Sequence, residues 1–146
     1  MGDDKVWLPT EKNIEDYNLL RAMIISQKNE FDLLSKKKAD GQLNKTKIKM
    51  VNRVLKPLKE LFEKEKSHTF LDILDDDEMP TYSDVVLIIS QYLTAIGDFK
   101  KKYYLKDVYL STDYSDKLRW MTEEFPFDYY KNVEGEEEYE DYDEDL

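Results

Sequence analysis

Apolar residues recur at intervals of three and four along three long segments of the chain, and this spacing predicts three amphipathic helices. The first is predicted from Thr10, a suitable N-cap, to the residues before Asp40-Gly41, a C-cap signal. The second is predicted from about Lys45 to Lys66, with a kink or a break at Pro57, and the third begins near Thr81. The predicted apolar seams are Tyr17, Leu20, Ile24, Phe31 and Leu34 in the first helix, Ile48, Val51, Leu55, Leu58 and Phe62 in the second, and Val85, Ile89, Tyr92, Ile96, Phe99 and Tyr103 in the third.

Weaker signals predict two shorter elements. A fourth helix is predicted over about residues 114–124, where Pro126 stops it, and a short helical turn over residues 70–74. The chain of 146 residues has only four glycines and four prolines, which disfavours an all-β fold. We therefore predict an all-α fold, an antiparallel helical bundle of three long helices plus a short fourth over residues 1–133, with an acidic tail over residues 134–146.

The acidic tail holds most of the net charge. The whole chain has 33 acids and 22 bases, a net charge of −11, and residues 134–146 contain nine of the acids and no base. Residues 1–133 therefore have 24 acids and 22 bases, a balance of −2. A polyanion favours a protein partner with a cationic surface, such as a nucleic-acid-processing enzyme. The alternative is a disordered tail that only keeps the chain soluble. The predicted acidic contacts are Glu134, Glu136, Glu137, Glu138, Glu140, Asp141, Asp143, Glu144 and Asp145, with the acidic run Asp75, Asp76, Asp77 and Glu78.

The acidic run 75–78, and a basic segment between residues 36 and 59, can each be interpreted as solvated surface without a binding role. The run lacks the glycine and the ligand spacing of a calcium loop, so a solvated loop is favoured there. A solvated lysine-rich face is likewise favoured for the basic segment, although it also suits phosphates, an acidic protein or the acidic tail itself. Direct nucleic-acid binding is less favoured, because lysine outnumbers arginine and no aromatic residues interleave to stack on bases. The bases of this segment are Lys36, Lys37, Lys38, Lys45, Lys47, Lys49, Arg53, Lys56 and Lys59.

No catalytic or cofactor-binding pattern is found in the sequence. There is no cysteine, and the single histidine, His68, is interpreted as a residue at the end of the second helix. Phosphate-binding glycine loops, serine elbows and dinucleotide fingerprints are also missing. We therefore expect a non-enzyme without a metal or cofactor. We expect no membrane association and an intracellular location, because no apolar run approaches the roughly 20 residues of a membrane helix and no secretory signal begins the chain.

In length, helical character and charge layout, the chain resembles the small acidic helical proteins of phages and viruses that act as DNA mimics. In particular, it is similar to the RNA polymerase inhibitory protein of an archaeal two-tailed virus and its helical virion-protein relatives. The resemblance implies binding inside the DNA channel of the polymerase and a block on transcription, in the host cytoplasm, with a place in the virion as an alternative. Besides the tail and the acidic run, it rests on Asp16, Glu30, Asp116, Glu123 and Glu124 along the first and fourth helices.

The basic segment is not expected in a protein that mimics DNA over its whole length. It therefore indicates that only part of the surface of this chain is anionic. Two other functions therefore stay open. One is a structural or virion-assembly protein that associates with itself through its seams and complementary ends. The other is a nucleic-acid-binding adaptor that uses residues 36–59, with the acidic tail as an autoinhibitor.

Overall fold

The computed structural model describes residues 6–104 and 120–126. The chain divides into two compact units, one formed by Lys12–Lys102 and the other by Met1–Glu11 with Tyr103–Leu146. The described residues form helices and two isolated β-bridges but no strand, which confirms the prediction of an all-α chain with three long helices. In this part of the chain, no helix is long and apolar enough to cross a membrane.

The three long helices are α1, Glu11–Lys37, α2, Lys45–Leu61, and α3, Tyr82–Tyr103. Polar side chains cap the starts of α2 and α3. The backbone N–H of Lys47 donates to Asn44 Oδ1 at 2.8 Å. At the start of α3, Asp84 N–H donates to Thr81 Oγ1 at 3.2 Å, and Thr81 N–H donates to Asp84 Oδ2 at 2.9 Å. This reciprocal pair satisfies two backbone donors that a helix start leaves without partners.

The end of α2 differs from the prediction. The helix is continuous through Pro57, so of the kink or break predicted there the break is wrong, and the helix ends at Leu61 rather than Lys66. The C-cap residue Phe62 is fully buried, with its ring centroid 5.2 Å from that of Phe99. The residues that follow form a 3₁₀ helix, Lys66–Phe70, which contains His68. The interpretation of His68 as a residue at the end of the second helix is therefore wrong.

Residues 71–75 are not helical, so the predicted helical turn over residues 70–74 is wrong beyond Phe70. Burial of Leu71 and Leu74 holds this segment against the helices. The backbone carbonyl of Asp72 also accepts a hydrogen bond from the Tyr92 hydroxyl at 2.7 Å. A spacing of three between leucines is typical of a helical turn. Here the segment is not helical, and both side chains are still buried in the core.

Apart from Tyr103, which belongs to the other unit, the predicted seam residues contribute to the core of the unit Lys12–Lys102. Leu20 and Leu34 are half-buried, and the other seam residues of α1 and α2 are buried. Burial raises the pKa of Tyr17 to about 12, and its hydroxyl donates to the Ile96 carbonyl at 3.0 Å. Burial, followed by the nearby Asp72 charge, raises the pKa of Tyr92 further. Both tyrosines therefore keep their protons and act as neutral core residues.

Aromatic contacts fix the directions of the helices. Near one end of the unit the rings of Tyr17 and Phe99 stack with centroids 5.2 Å apart, and near the other Phe31 lies 6.1 Å from Tyr82. These pairs make α1 antiparallel to α3. The start of α2 also lies at the start of α3, where Lys47 Nζ is 5.8 Å from the Tyr82 ring centroid.

Helices α2 and α3 are therefore parallel to each other, because their ends also meet through Phe62 and Phe99. An antiparallel bundle joined by short connections predicts that consecutive helices run in opposite directions, so the parallel course of α2 and α3 departs from the prediction. The connection over residues 62–81 runs back along the helices before α3 begins. This connection is too long for a tight turn, and its buried residues Leu71 and Leu74 contribute to the core.

The predicted fourth helix is not found where the chain is described. Residues 114–119 lie outside the described residues, and residues 120–124 are not helical, so the prediction is wrong for that part. Instead, Trp120 forms an isolated β-bridge with Tyr104. The backbone N–H of Met121 donates to the Tyr103 carbonyl at 2.7 Å. These backbone bonds take the place of the helical hydrogen bonds. The acidic tail, residues 134–146, also lies outside the described residues.

Candidate charged interaction surfaces

Four of the predicted basic residues lie together on one side of α2. Lys45, Lys49, Arg53 and Lys56 are exposed and separated by four, four and three residues, which places them on the same helix face. They line a groove of about 580 Å³, which we call the cationic groove. Within residues 6–104, none of these four side chains forms an ion pair. The other lining residues are Ile48, Asn52 and Asp76.

The remaining basic residues of the predicted segment do not line this groove. Lys36 and Lys37 are exposed in the last turn of α1, where positive charge favours the helix dipole, and Lys38 follows them. Lys47 is half-buried over the Tyr82 ring, and Lys59 is also half-buried. The structure therefore brings four of the nine predicted bases into a single groove.

The acidic run 75–78 is exposed, as its interpretation as a solvated loop predicts. Its last three residues form a short 3₁₀ helix, Asp76–Glu78, which the Asp75 side chain caps by accepting a hydrogen bond from the Asp77 N–H at 2.9 Å. Met79 follows with a positive φ of 51°. The run is thus a defined turn, and its Asp76 lies at the edge of the cationic groove.

Asn52 holds the connection against α2 beside this acidic turn. Its Nδ2 donates to the Leu74 carbonyl at 2.9 Å, and its Oδ1 accepts from the Leu74 N–H at 3.0 Å. The side-chain amide thereby satisfies both backbone groups of Leu74 and fixes the chain two residues before Asp76. Sequence reasoning missed Asn52. Its only signal was a polar residue next to the buried seam position Val51.

The other predicted acidic positions are dispersed. Asp16 forms an ion pair with Lys12 at 3.0 Å, Glu30 and Glu123 are exposed, and Glu124 Oε1 accepts a hydrogen bond from the Glu11 N–H at 3.0 Å. Glu124 thus supports the start of α1. The remaining acidic positions lie outside the described residues, namely Asp116 and the nine acids of the tail, Glu134, Glu136, Glu137, Glu138, Glu140, Asp141, Asp143, Glu144 and Asp145.

The described surface is suited to binding by charge. Among residues 6–104 and 120–126, no group of three or more potential metal-ligating side chains is arranged to hold an ion. The two fixed features are the cationic groove on α2 and the acidic turn at its edge. The side chains of Asp75 and Asn52 hold this turn through hydrogen bonds to backbone groups.

No protein-family model matches this chain, and no curated protein or solved structure matches it either.

Proposed function

We propose that this chain is a non-enzymatic interaction protein, a viral inhibitor that places acidic surface in the cationic nucleic-acid channel of a host enzyme such as RNA polymerase. The observation that carries the proposal is the separation of charge along the chain. Residues 134–146 contain nine of the 33 acids and no base, whereas residues 1–133 are nearly balanced. In this proposal the helical body is a scaffold and the acidic tail is the part that competes with nucleic acid.

The physical basis is competition for a positively charged channel. Channel cations that bind phosphates also attract carboxylates, and a dense run of carboxylates is steered to them over several ångströms at low salt. The acidic turn Asp76–Glu78 supports the proposal, because it presents exposed carboxylates in a defined geometry. The cationic groove is repelled by such a channel, which restricts the contact to the acidic parts.

A transcription assay with purified RNA polymerase tests this proposal. In one variant all nine acids of the tail are replaced by their amides, and in another Asp76→Asn, Asp77→Asn and Glu78→Gln neutralise the acidic turn. A control with Asp40→Asn, Glu60→Gln and Glu63→Gln removes the same charge as the turn variant, but from other exposed positions. We expect the tail variant to lose most inhibition, the turn variant to lose part of it, and the control to inhibit as the unchanged chain does.

Salt gives an independent criterion. At 1 M salt the screening length is about 3 Å, so binding that rests on exposed carboxylates should weaken strongly. The proposal is wrong if the tail variant inhibits fully, or if polymerase binding is the same in 1 M salt as in dilute buffer. Failure of the chain to inhibit the polymerase at any salt concentration would also reject it.

A second candidate, assembly with copies of itself, is favoured by an apolar row on the outside of α1. Leu19, Met23 and Leu33 fall on one side of this helix and are 61, 45 and 58 % exposed. Such a row is typical of a helix that packs against a partner helix. Light scattering over a wide concentration range tests the idea, with Leu19→Lys and Leu33→Lys expected to abolish any association. A strict monomer at every concentration excludes it.

A further inference from the structure

The row of cations in the cationic groove is long enough to contact several charges of a linear polyanion. At a rise of about 1.5 Å per residue, Lys45, Lys49, Arg53 and Lys56 follow one another at about 6, 6 and 4.5 Å along the helix axis. The row is therefore about 16.5 Å long, which corresponds to about five phosphate-to-phosphate steps of one strand at about 3.4 Å per step along a duplex axis. Among the residues that line the groove, only Asp76 opposes these cations.

The groove has few side-chain groups that could recognise a particular base. Asparagine is a residue that can recognise adenine through its amide, but both polar atoms of Asn52 are already bonded to the Leu74 backbone. No aromatic side chain lines the groove, so an unstacked base finds no ring to stack on. The four cations remain for contact. Cations bind phosphates irrespective of sequence, and Arg53 is the only one of the four with the planar fork that matches a guanine edge.

The groove also offers little to a peptide. Ile48 is the only wholly apolar side chain that lines it, so the aromatic or aliphatic anchors of an acidic peptide have little surface to bury. A duplex needs no such anchor, because its evenly spaced phosphates interact with the lysine and arginine head groups directly.

We infer that the cationic groove binds the phosphate backbone of duplex nucleic acid without reading its sequence. This inference goes beyond the proposed function and does not rest on it, because it uses α2 rather than the acidic residues. A chain with both properties contacts an enzyme through its acidic part and the duplex through α2.

Salt dependence of binding by the full-length chain tests the inference. Two fluorescently labelled DNA duplexes of unrelated sequence are titrated, and affinity is followed by anisotropy over a salt series. Four phosphate contacts predict that the logarithm of the association constant falls with a slope of about −3.6 against the logarithm of salt concentration, equally for both duplexes. Lys49→Ala and Arg53→Ala should each make the slope shallower by about 0.9.

Matched controls separate the groove from the overall charge. Lys64→Ala removes one exposed cation outside the groove and should leave the slope unchanged. Asp76→Asn and Asp77→Asn change the net charge equally, but only Asp76 lines the groove. Asp76→Asn should therefore strengthen duplex binding several-fold more than Asp77→Asn does. Circular dichroism of each variant shows whether the helices are retained.

Three results would overturn the inference. One is the absence of duplex binding by the full-length chain and by the Asp76→Asn variant at the lowest salt concentration. Another is an equal loss of affinity in Lys64→Ala and Lys49→Ala. The third comes from a synthetic peptide of residues 134–146: if it binds at the groove more tightly than the duplex at the same salt concentration, the occupant is an acidic peptide. None of these results bears on polymerase inhibition by the acidic residues.

Discussion

Gly41 shows how a single residue joins the two connections of the helical unit. Its carbonyl accepts a hydrogen bond from the Tyr82 N–H at 2.8 Å, and a Cβ atom at this position would lie 2.5 Å from Tyr82 Cε2. The Tyr82 ring is itself held between Phe31 and Lys47. The sequence predicts Gly41 as a helix C-cap, but the close approach of the Tyr82 ring is what requires a glycine here.

Replacement of Gly41 by alanine should destabilise the fold. The new methyl group must displace a ring that is packed on both sides, and overpacking of this kind costs about 1–3 kcal/mol. Urea unfolding followed by circular dichroism measures the change in the free energy of unfolding. Gly97→Ala is the control, because a Cβ there meets nothing within 4 Å and alanine is the better helix former.

The Gly97→Ala variant should be more stable than the unchanged chain, by about 0.5–1 kcal/mol. We therefore expect alanine to lower the free energy of unfolding at position 41 and to raise it at position 97. A Gly41→Ala variant as stable as the unchanged chain would show that Tyr82 can move aside, and the account of Gly41 would be wrong.

At the scale of elements, the sequence predicts the helices but not the path between them. Spacings of three and four identify α1, α2 and α3, because an apolar face must repeat with the helical period. The end of α2 was missed, because no glycine or proline lies between Leu61 and Lys66 and the burial of Phe62 depends on Phe99. The same reason applies to the parallel pair α2 and α3, since its determinants are distant in sequence.

The cationic groove could be predicted only in part. Charge density marks the basic segment, and helical spacing places Lys45, Lys49, Arg53 and Lys56 on one face. Asp76 joins them only because Asn52 holds Leu74, and this contact is not visible in any local pattern. The sequence therefore does not predict a residue such as Asn52, which lies outside the apolar seams and forms hydrogen bonds to the backbone of a residue distant in sequence.

The Asn52 contact predicts a local rather than a general effect. Asn52→Ala leaves the N–H and the carbonyl of the buried Leu74 without their partner, at a cost of about 1–3 kcal/mol. Hydrogen exchange measured by NMR should show faster exchange at Leu74 than in the unchanged chain, while the amides in the middle of α1 change less. Asn29→Ala, at an exposed position of α1, should change stability by no more than about 0.5 kcal/mol. Unchanged exchange at Leu74 in Asn52→Ala would contradict this account.

At the scale of the whole molecule, the net charge of −11 opposes the compact state through repulsion between like charges. Added salt screens this repulsion and should raise the melting temperature. Screening also weakens favourable ion pairs, which would lower it. Those pairs, such as Lys12–Asp16 and Lys28–Asp32, are partly exposed, so each contributes only about 0–1 kcal/mol. We therefore expect repulsion to be the larger effect in dilute buffer.

A variant with all nine tail acids replaced by their amides has a net charge of −11 + 9 = −2. Its melting temperature should rise less between dilute buffer and about 0.5 M sodium chloride than that of the unchanged chain, because little repulsion remains to be screened. Differential scanning calorimetry of both chains in the same salts measures this difference and cancels effects of salt on apolar burial. An identical rise in both would show that the acidic tail does not destabilise the body, and would leave the balance of charges within residues 1–133 as the source of the salt effect.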